Sequence, residues 1–276
     1  MIRLEEQEFA DIVEYMLGHY GINLEKKKVL IECRMARELE KQGMTSFRGY
    51  LELLKKDRTG KIADEMINRL TTNYTYFFRE VNHFQILKSE IFPDLFQKKQ
   101  FGTVNIWCAG CSTGEECYTL TMTLREYTAL TGQSASVRIL ATDISEDALR
   151  RAREGIYPIR EIESIPLNLR QEYCHVTEDK KSFRIDDRLK ENICFKRQNL
   201  MDPAAAEKYD LILCRNVMIY FDRASRRKLI KKLENCLTPG GYLLIGHAEL
   251  LAKEETCLES VHPAVYMANG KERKNL

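Results

Sequence analysis

VNIWCAGCSTGEE, residues 104–116, supports two incompatible readings, and the choice between them decides the fold. In the first, Cys108 and Cys111 follow an apolar run as a Cys-x-x-Cys redox pair, with a thiolate at a helix N-terminus that attacks a disulfide. In the second, the same letters spell strand, glycine turn and acidic helix start, the layout of a nucleotide-type cofactor loop. Gly110 and Gly114 bracket a turn where backbone must come close to something, and Ser112 or Thr113 can cap the helix that Glu115 and Glu116 begin.

The chain around the motif favours the second reading. From Val104 onward, short apolar runs alternate with helical segments: VNIWC, VRILAT, ICFKRQ, YDLILC, YLLIG and AVYMA. That alternation marks a parallel sheet with crossover helices, a doubly wound α/β fold. A Cys-x-x-Cys redox protein needs little more than one compact domain around its motif, whereas here the motif sits inside a longer alternating chain. One strand after the turn, VRILATDIS puts Asp143 just past a strand end and Ser145 in position to cap EDALRRAREG. An acid at that point typically binds ribose hydroxyls. Cys108 and Cys111 then become small buried residues beside the turn.

Ahead of the sheet, residues 1–80 read as an all-α domain. Leu4, Phe9, Ile12, Val13, Met16 and Leu17 recur at helical spacing before Gly21, and further helices are expected over Glu25–Gln42, Ser46–Lys55 and Lys61–Leu70. Residues 81–101 read as a linker, and 102–270 as the α/β domain. Within it, at about 156–190, the alternation pauses around Pro158, Pro166 and the runs EYCHV and SFRID, which predicts a small inserted antiparallel β-subdomain.

Composition excludes several classes. With 276 residues, 44% hydrophobic, 30% charged and a net charge of +2, the chain is ordinary globular protein and not the basic sort that binds nucleic acid wholesale. No apolar run approaches the roughly 18 residues of a membrane helix, and MIRLEEQEF has acids where a secretion signal has bases. A cytoplasmic location is expected. The nine cysteines are odd in number and scattered, so no disulfide framework is expected, and Cys108/Cys111 lacks the second half of a zinc site, so no metal is expected.

The cofactor can be narrowed. There is no closely spaced second glycine to admit a pyrophosphate and no Gly-Lys-Ser or Gly-Lys-Thr for a triphosphate, which leaves S-adenosylmethionine as the ribose-bearing candidate.

Four blocks, LTTNYTYFFRE (70–80), WCAGCSTGEECYTL (107–120), ATDIS (141–145) and CRNVMIYFD (214–222), resemble the chemotaxis-receptor glutamate methyltransferases, the CheR family. The likeness continues through TPGGYLLIGHAE (238–249) and covers nearly the whole chain. It implies an S-adenosylmethionine-dependent methyltransferase that esterifies glutamate side chains on the cytoplasmic helices of chemoreceptors, in chemotactic adaptation, and releases S-adenosylhomocysteine. By motif position, it also implies cofactor contacts at Asn73, Thr75, Arg79, Gly110, Glu115, Asp143, Asn199, Leu200, Arg215 and Asn216, and a reacting centre at Arg79 and Tyr220. The chain departs from the pattern at Cys117, where many relatives have proline. HVTEDKKS (175–182) is also shorter than the matching part of relatives that tether to a receptor-tail pentapeptide, so such tethering is not expected.

The absence of a histidine base suits this chemistry, because a glutamate carboxylate, with a pKa of roughly 4.3, is already a nucleophile at neutral pH. Catalysis then reduces to holding that oxygen in line with the methyl in a dry pocket. Arg79 can clamp the carboxylate of the substrate or of the cofactor, and Tyr220 can hydrogen-bond the substrate or close the cleft. Asn73 and Thr75 can instead cap a helix. Lys27, Arg34, Arg37 and Lys41 form one basic stripe that can dock glutamate-rich receptor helices or stand as a solvated face. Two rivals are a nucleic-acid or small-molecule methyltransferase, which lacks its [Asp/Asn]-Pro-Pro-[Tyr/Phe] or Pro-Cys motif here, and a cofactor-sensing module without turnover.

Overall fold

The structure is a computed structural model that describes residues 2–100, 102–133, 135–203 and 206–269. Four helices come first: α1 (Glu6–Tyr20), α2 (Lys28–Lys41), α3 (Phe47–Lys56) and α4 (Lys61–Leu70). Their apolar stripes close on one core through Ile12, Met16, Ile31, Met35, Leu39, Phe47 and Met66, all fully buried. Gly21 ends α1 in the left-handed conformation (φ +70°), and its N–H returns to the Leu17 carbonyl. A Cβ there would lie 2.9 Å from Met201 Sδ, so glycine also lets this corner press against the rest of the molecule.

The segment expected as a linker holds α5 (Asn82–Ile86), a π turn (Leu87–Ile91) and α6 (Phe92–Lys98). Phe84, Leu87, Ile91, Phe92, Leu95 and Phe96 recur at helical spacing and are buried in the core of the large sheet, so this stretch packs as part of the second unit. The expected limits at 101 and 270 lie outside the described residues.

The large sheet is built from β1 (Thr103–Ala109), β2 (Ser136–Asp143), β6 (Ile193–Arg197), β7 (Tyr209–Cys214), β8 (Leu237–Ile245), β9 (Glu259–His262) and β10 (Val265–Met267), in the order β6-β2-β1-β7-β8-β10-β9. The first five are parallel, while β10 and β9 pair antiparallel at one edge. Helices α7 (Glu115–Thr131), α8 (Glu146–Glu154) and α10 (Arg223–Cys236) cross between strands. One face packs α5, α6 and α7, and the other packs α10 through Leu229, Ile230 and Leu233, which is the doubly wound arrangement expected. Helix α7 is enclosed although rich in threonine. Thr119, Thr121, Thr123 and Thr131 satisfy their hydroxyls on carbonyls one turn back.

The insertion is a three-stranded antiparallel sheet, β3 (Ile156–Pro158), β4 (Cys174–Val176) and β5 (Ser182–Ile185), in the order β3-β5-β4, with α9 (Leu167–Tyr173) before β4. Its small core of Tyr157, Phe183, Ile185 and Leu189 takes in Phe77 from the segment after α4. The Phe77 ring meets Tyr157 edge-on at 4.9 Å. No described helix is long and apolar enough to cross a membrane.

The helical unit seats on the carboxyl ends of the parallel strands. Asn23 N–H donates to the Tyr220 carbonyl at 2.8 Å, Ile22 pairs with Phe221 as an isolated bridge, and Asn199 Nδ2 donates to the His19 carbonyl at 2.8 Å. Arg197 forks onto both carboxylate oxygens of Asp64 in α4.

Candidate functional site

Between the two units lies a cavity of about 390 Å³, at the point where β1 has β2 on one side and β7 on the other. Open α/β sheets bind ligands at such a reversal of strand order. The loop after α1 and the segment after α4 close it from the helical side.

Asn73, Thr75, Arg79, Gly110, Asp143, Asn199, Leu200, Arg215, Asn216 and Tyr220 all line this cavity. Glu115 does not. It is buried at the start of α7, where its carboxylate takes the Thr113 hydroxyl at 2.8 and 2.7 Å, and burial pushes its pKa up to about 7. The next residue, Glu116, faces the cavity instead, about 100° further round the helix. Neither Ser112 nor Thr113 caps α7, whose N-cap is Gly114, whereas Ser145 does cap α8 by accepting from Ala148 N–H at 3.1 Å. Asn73 and Thr75 lie in the irregular segment after α4 and cap no helix among the described residues; Asn73 Nδ2 donates to Ser145 Oγ at 3.4 Å.

The turn explains its glycine. Gly110 is left-handed (φ +85°), and a Cβ would come within 2.4 Å of Val217 Cγ2, so no larger residue fits. Just beyond, Asp143 is buried and both oxygens are held: Oδ2 accepts Ser112 N–H at 2.8 Å and Oδ1 accepts Ser145 N–H at 2.9 Å. Burial raises its pKa, and these backbone donors oppose the rise. Each oxygen keeps a further lone pair, and the residue lines the cavity. The same loop enfolds Cys108 and Cys111, both at most 1% exposed, and burial pushes the Cys111 thiol up. A reactive redox cysteine needs the opposite environment.

A charged wall stands on the β7 side. Arg215, enclosed, pairs with Glu116 at 2.8 Å and Glu80 at 3.2 Å, donates to the Arg79 carbonyl and lies 5.3 Å from the Phe84 ring centroid. One guanidinium thus serves two acids. Burial raises both, but Glu80, which also receives the Asn216 amide and His247 N–H, is held below the usual carboxylate range, whereas Glu116 stays above it. His83, fully buried behind Glu80, is pushed down to about 4 by burial and by Arg215, and so is neutral. Tyr220 is half-buried, burial raises its phenol, and its hydroxyl donates to the Thr72 carbonyl at 3.4 Å.

Ser112 (φ +50°) and Asn216 (+58°), which line the cavity, and Phe78 (+57°) and Glu80 (+56°), on either side of Arg79 in the chain, have left-handed backbone. Such strain gathers where side chains must be aimed. Of the basic stripe, Lys27 lines the cavity and Arg37 is exposed. Arg34 caps the end of α4 through the carbonyls of Arg69, Leu70 and Thr71, and Lys41 pairs with Glu38 at 3.8 Å.

The donor set fits S-adenosylmethionine. Asp143 can accept from ribose hydroxyls, Glu116 suits a sulfonium or ammonium, and Arg79 and the Asn216 amide suit a carboxylate. Sequence motifs pointed to most of these residues, but they gave Glu80 no role of its own and read Ser112 only as a helix cap and Glu116 only as part of an acidic helix start.

Comparison with known proteins matches residues 7–71 to the all-alpha domain of CheR methyltransferases and residues 73–267 to their SAM binding domain. The chemotaxis protein methyltransferase of Borreliella burgdorferi is 42% identical, over 97% of this chain and 96% of its own length. That of Escherichia coli is 32% identical, over 90% and 86%. The chemotaxis protein methyltransferase 2 of Vibrio cholerae is 31% identical, over 91% and 88%.

Proposed function

The chain belongs to the CheR methyltransferase family, with S-adenosylmethionine as cofactor, and from that premise we propose that it methylates glutamate side chains on the cytoplasmic helices of chemoreceptors. The observation that carries the reading is the cavity itself: carboxylates for a cationic nucleoside cofactor on its strand side, and at its rim Arg79, whose guanidinium makes no ion pair among the described residues. On this reading residues 1–80 form the receptor-facing unit and 102–270 the catalytic one.

When bound, S-adenosylmethionine supplies a methyl group made electrophilic by the sulfonium, and the acceptor carboxylate takes it to give the ester and S-adenosylhomocysteine. The protein needs no base, since the acceptor is ionised at neutral pH. Asp143 holds the ribose, Asn73, Thr75, Asn199 and Leu200 line the nucleoside's place, and Glu116, Arg215 and Asn216 line the amino-acid end. Tyr220 hydrogen-bonds the acceptor carboxylate, Arg79 clamps that carboxylate or the cofactor's own, and the helical roof excludes water from the cleft.

Labelled cofactor and receptor-containing membranes test this directly: base-labile label is expected on receptor, and its absence while another substrate takes label sinks the proposal. Receptors with and without a C-terminal pentapeptide are expected to accept label equally. The β4–β5 turn closes over Thr177–Ser182, and β4, at the edge of the small sheet, is three residues long, which leaves little ladder for a tail to extend.

Tyr220→Phe is expected to leave S-adenosylhomocysteine affinity near the wild-type value and to slow transfer by roughly five- to tenfold, the worth of one hydrogen bond made at the reacting centre. Calorimetry and methylation at saturating cofactor separate the two effects. Wild-type turnover would make the hydroxyl a bystander.

A further inference from the structure

The loop between β7 and α10 forms much of the cavity wall on that side: Asn216, Val217, Ile219 and Tyr220 all line it. Little regular structure holds this loop. It contains one 3₁₀ turn, Met218–Tyr220, and passes through Asn216 in the left-handed conformation (φ +58°), a strained state that persists only where the surroundings impose it. Those surroundings converge on one side chain, Glu249.

Glu249 lies in the turn after β8 and is buried. Its Oε2 accepts Asn216 N–H at 2.7 Å and Gly246 N–H at 2.8 Å, and its Oε1 accepts Ile219 N–H at 3.1 Å. The Gly246 bond closes Glu249's own turn, while the other two reach 33 and 30 residues back along the chain. The carboxylate makes no ion pair among the described residues, so its buried charge rests on these backbone N–H groups, in charge-assisted bonds stronger than neutral ones. Packing around it is close: a Cβ at Gly246 would stand 2.4 Å from Asn216 Nδ2 and 2.8 Å from Glu249 Oε2. From α10, Arg226 Nη2 fixes the turn itself by donating to the Glu249 and Leu250 carbonyls at 3.1 and 2.9 Å.

We propose that Glu249 is a positioning residue for methyl transfer: by holding the Asn216 and Ile219 N–H groups, it sets where the Asn216 side chain and the Tyr220 hydroxyl stand in the cavity. The proposal rests on the function above for the roles of those two side chains. Three converging N–H groups call for an acceptor-only group with two oxygens, which among side chains only a carboxylate supplies. The end of β8 thereby fixes a loop that the end of β7 alone leaves unsupported. The same loop bears on the glycine turn, because Val217 Cγ2 occupies the space that a Cβ at Gly110 would need.

Glu249→Gln in the full chain tests this, since the amide keeps the size but has one acceptor oxygen and turns an NH₂ toward one of the loop's donors. Calorimetry with S-adenosylhomocysteine is expected to show about tenfold weaker binding. At saturating cofactor, kcat counted per S-adenosylhomocysteine-binding site is expected to fall by at least about tenfold, with KM for receptor near the wild-type value. Counting per site removes any unfolded fraction. Leu233→Ala, a truncation in the core under α10, is the stability control: it should melt below wild type and keep both affinity and kcat per site. Wild-type affinity and kcat per site in Glu249→Gln overturn the proposal, as does an equal loss in Leu233→Ala, which would assign the effect to stability. Should Glu249→Gln not fold, amide exchange in the wild type decides: the Asn216 and Ile219 amides are expected to exchange as slowly as strand amides, and exchange at the rate of exposed loops overturns the proposal. If no receptor glutamate takes label even with wild-type protein, the proposed function fails. The cofactor affinity of Glu249→Gln needs no acceptor, and an unchanged value then separately overturns the positioning role.

Discussion

Asp143→Ala is expected to weaken S-adenosylhomocysteine binding by between about ten- and a hundredfold, as calorimetry would record. The lost interaction is a charge-assisted hydrogen bond, worth about 1.5–3 kcal/mol, present with cofactor bound before and during transfer alike. Kcat at saturating cofactor should therefore change less than affinity. The variant carries a second cost, because Ser112 N–H and Ser145 N–H both lose their acceptor and the turn that carries Gly110 loosens. Asparagine is no milder substitute, since its NH₂ would face one of those two donors. Normal cofactor affinity in Asp143→Ala would remove the ribose assignment and the placement of the site with it.

Arg215→Met is expected to destabilise the fold by about 3–5 kcal/mol, because Glu80 and Glu116 would remain enclosed without their shared cation. For a chain of this size, that corresponds to a fall in melting midpoint on the order of 10 °C. Adding Glu116→Gln should recover part of the loss by removing one stranded charge, a coupling that a double-mutant cycle measures. Arg79→Met, at the rim, should melt close to wild type and yet transfer poorly. Equal melting of Arg215→Met and wild type would mean that water already reaches the wall.

The central strands were legible in sequence because parallel strands covered on both faces are almost continuously apolar, as VNIWC and YDLILC are but for Asn105 and Asp210. Edge strand β9 was not, since ESVH is largely exposed and has a single apolar residue, Val261, so it carries little apolar signal. The stretch at 81–101 read as a connection because its helical spacing is broken at the π turn and interrupted by Pro93, although Phe84, Leu87, Phe92, Leu95 and Phe96 belong to the core. At the site, motif letters brought together residues more than a hundred positions apart, from Asn73 to Tyr220, which the fold gathers around one cavity. Which of the adjacent Glu115 and Glu116 faces it is a matter of helix phase, set by how the turn enters α7. Arg34 could not be told from its neighbours on α2, because its partners are backbone carbonyls at the end of another helix.

The left-handed backbone at Phe78, Glu80 and Ser112 makes these positions opportunities for anyone breeding a sturdier version of the chain. Each holds back something on the order of 1–3 kcal/mol, which glycine or asparagine would partly release. A screen that rewards heat tolerance alone would be drawn to the rim of the cavity, and its winners would be hardier proteins whose aim had been filed away.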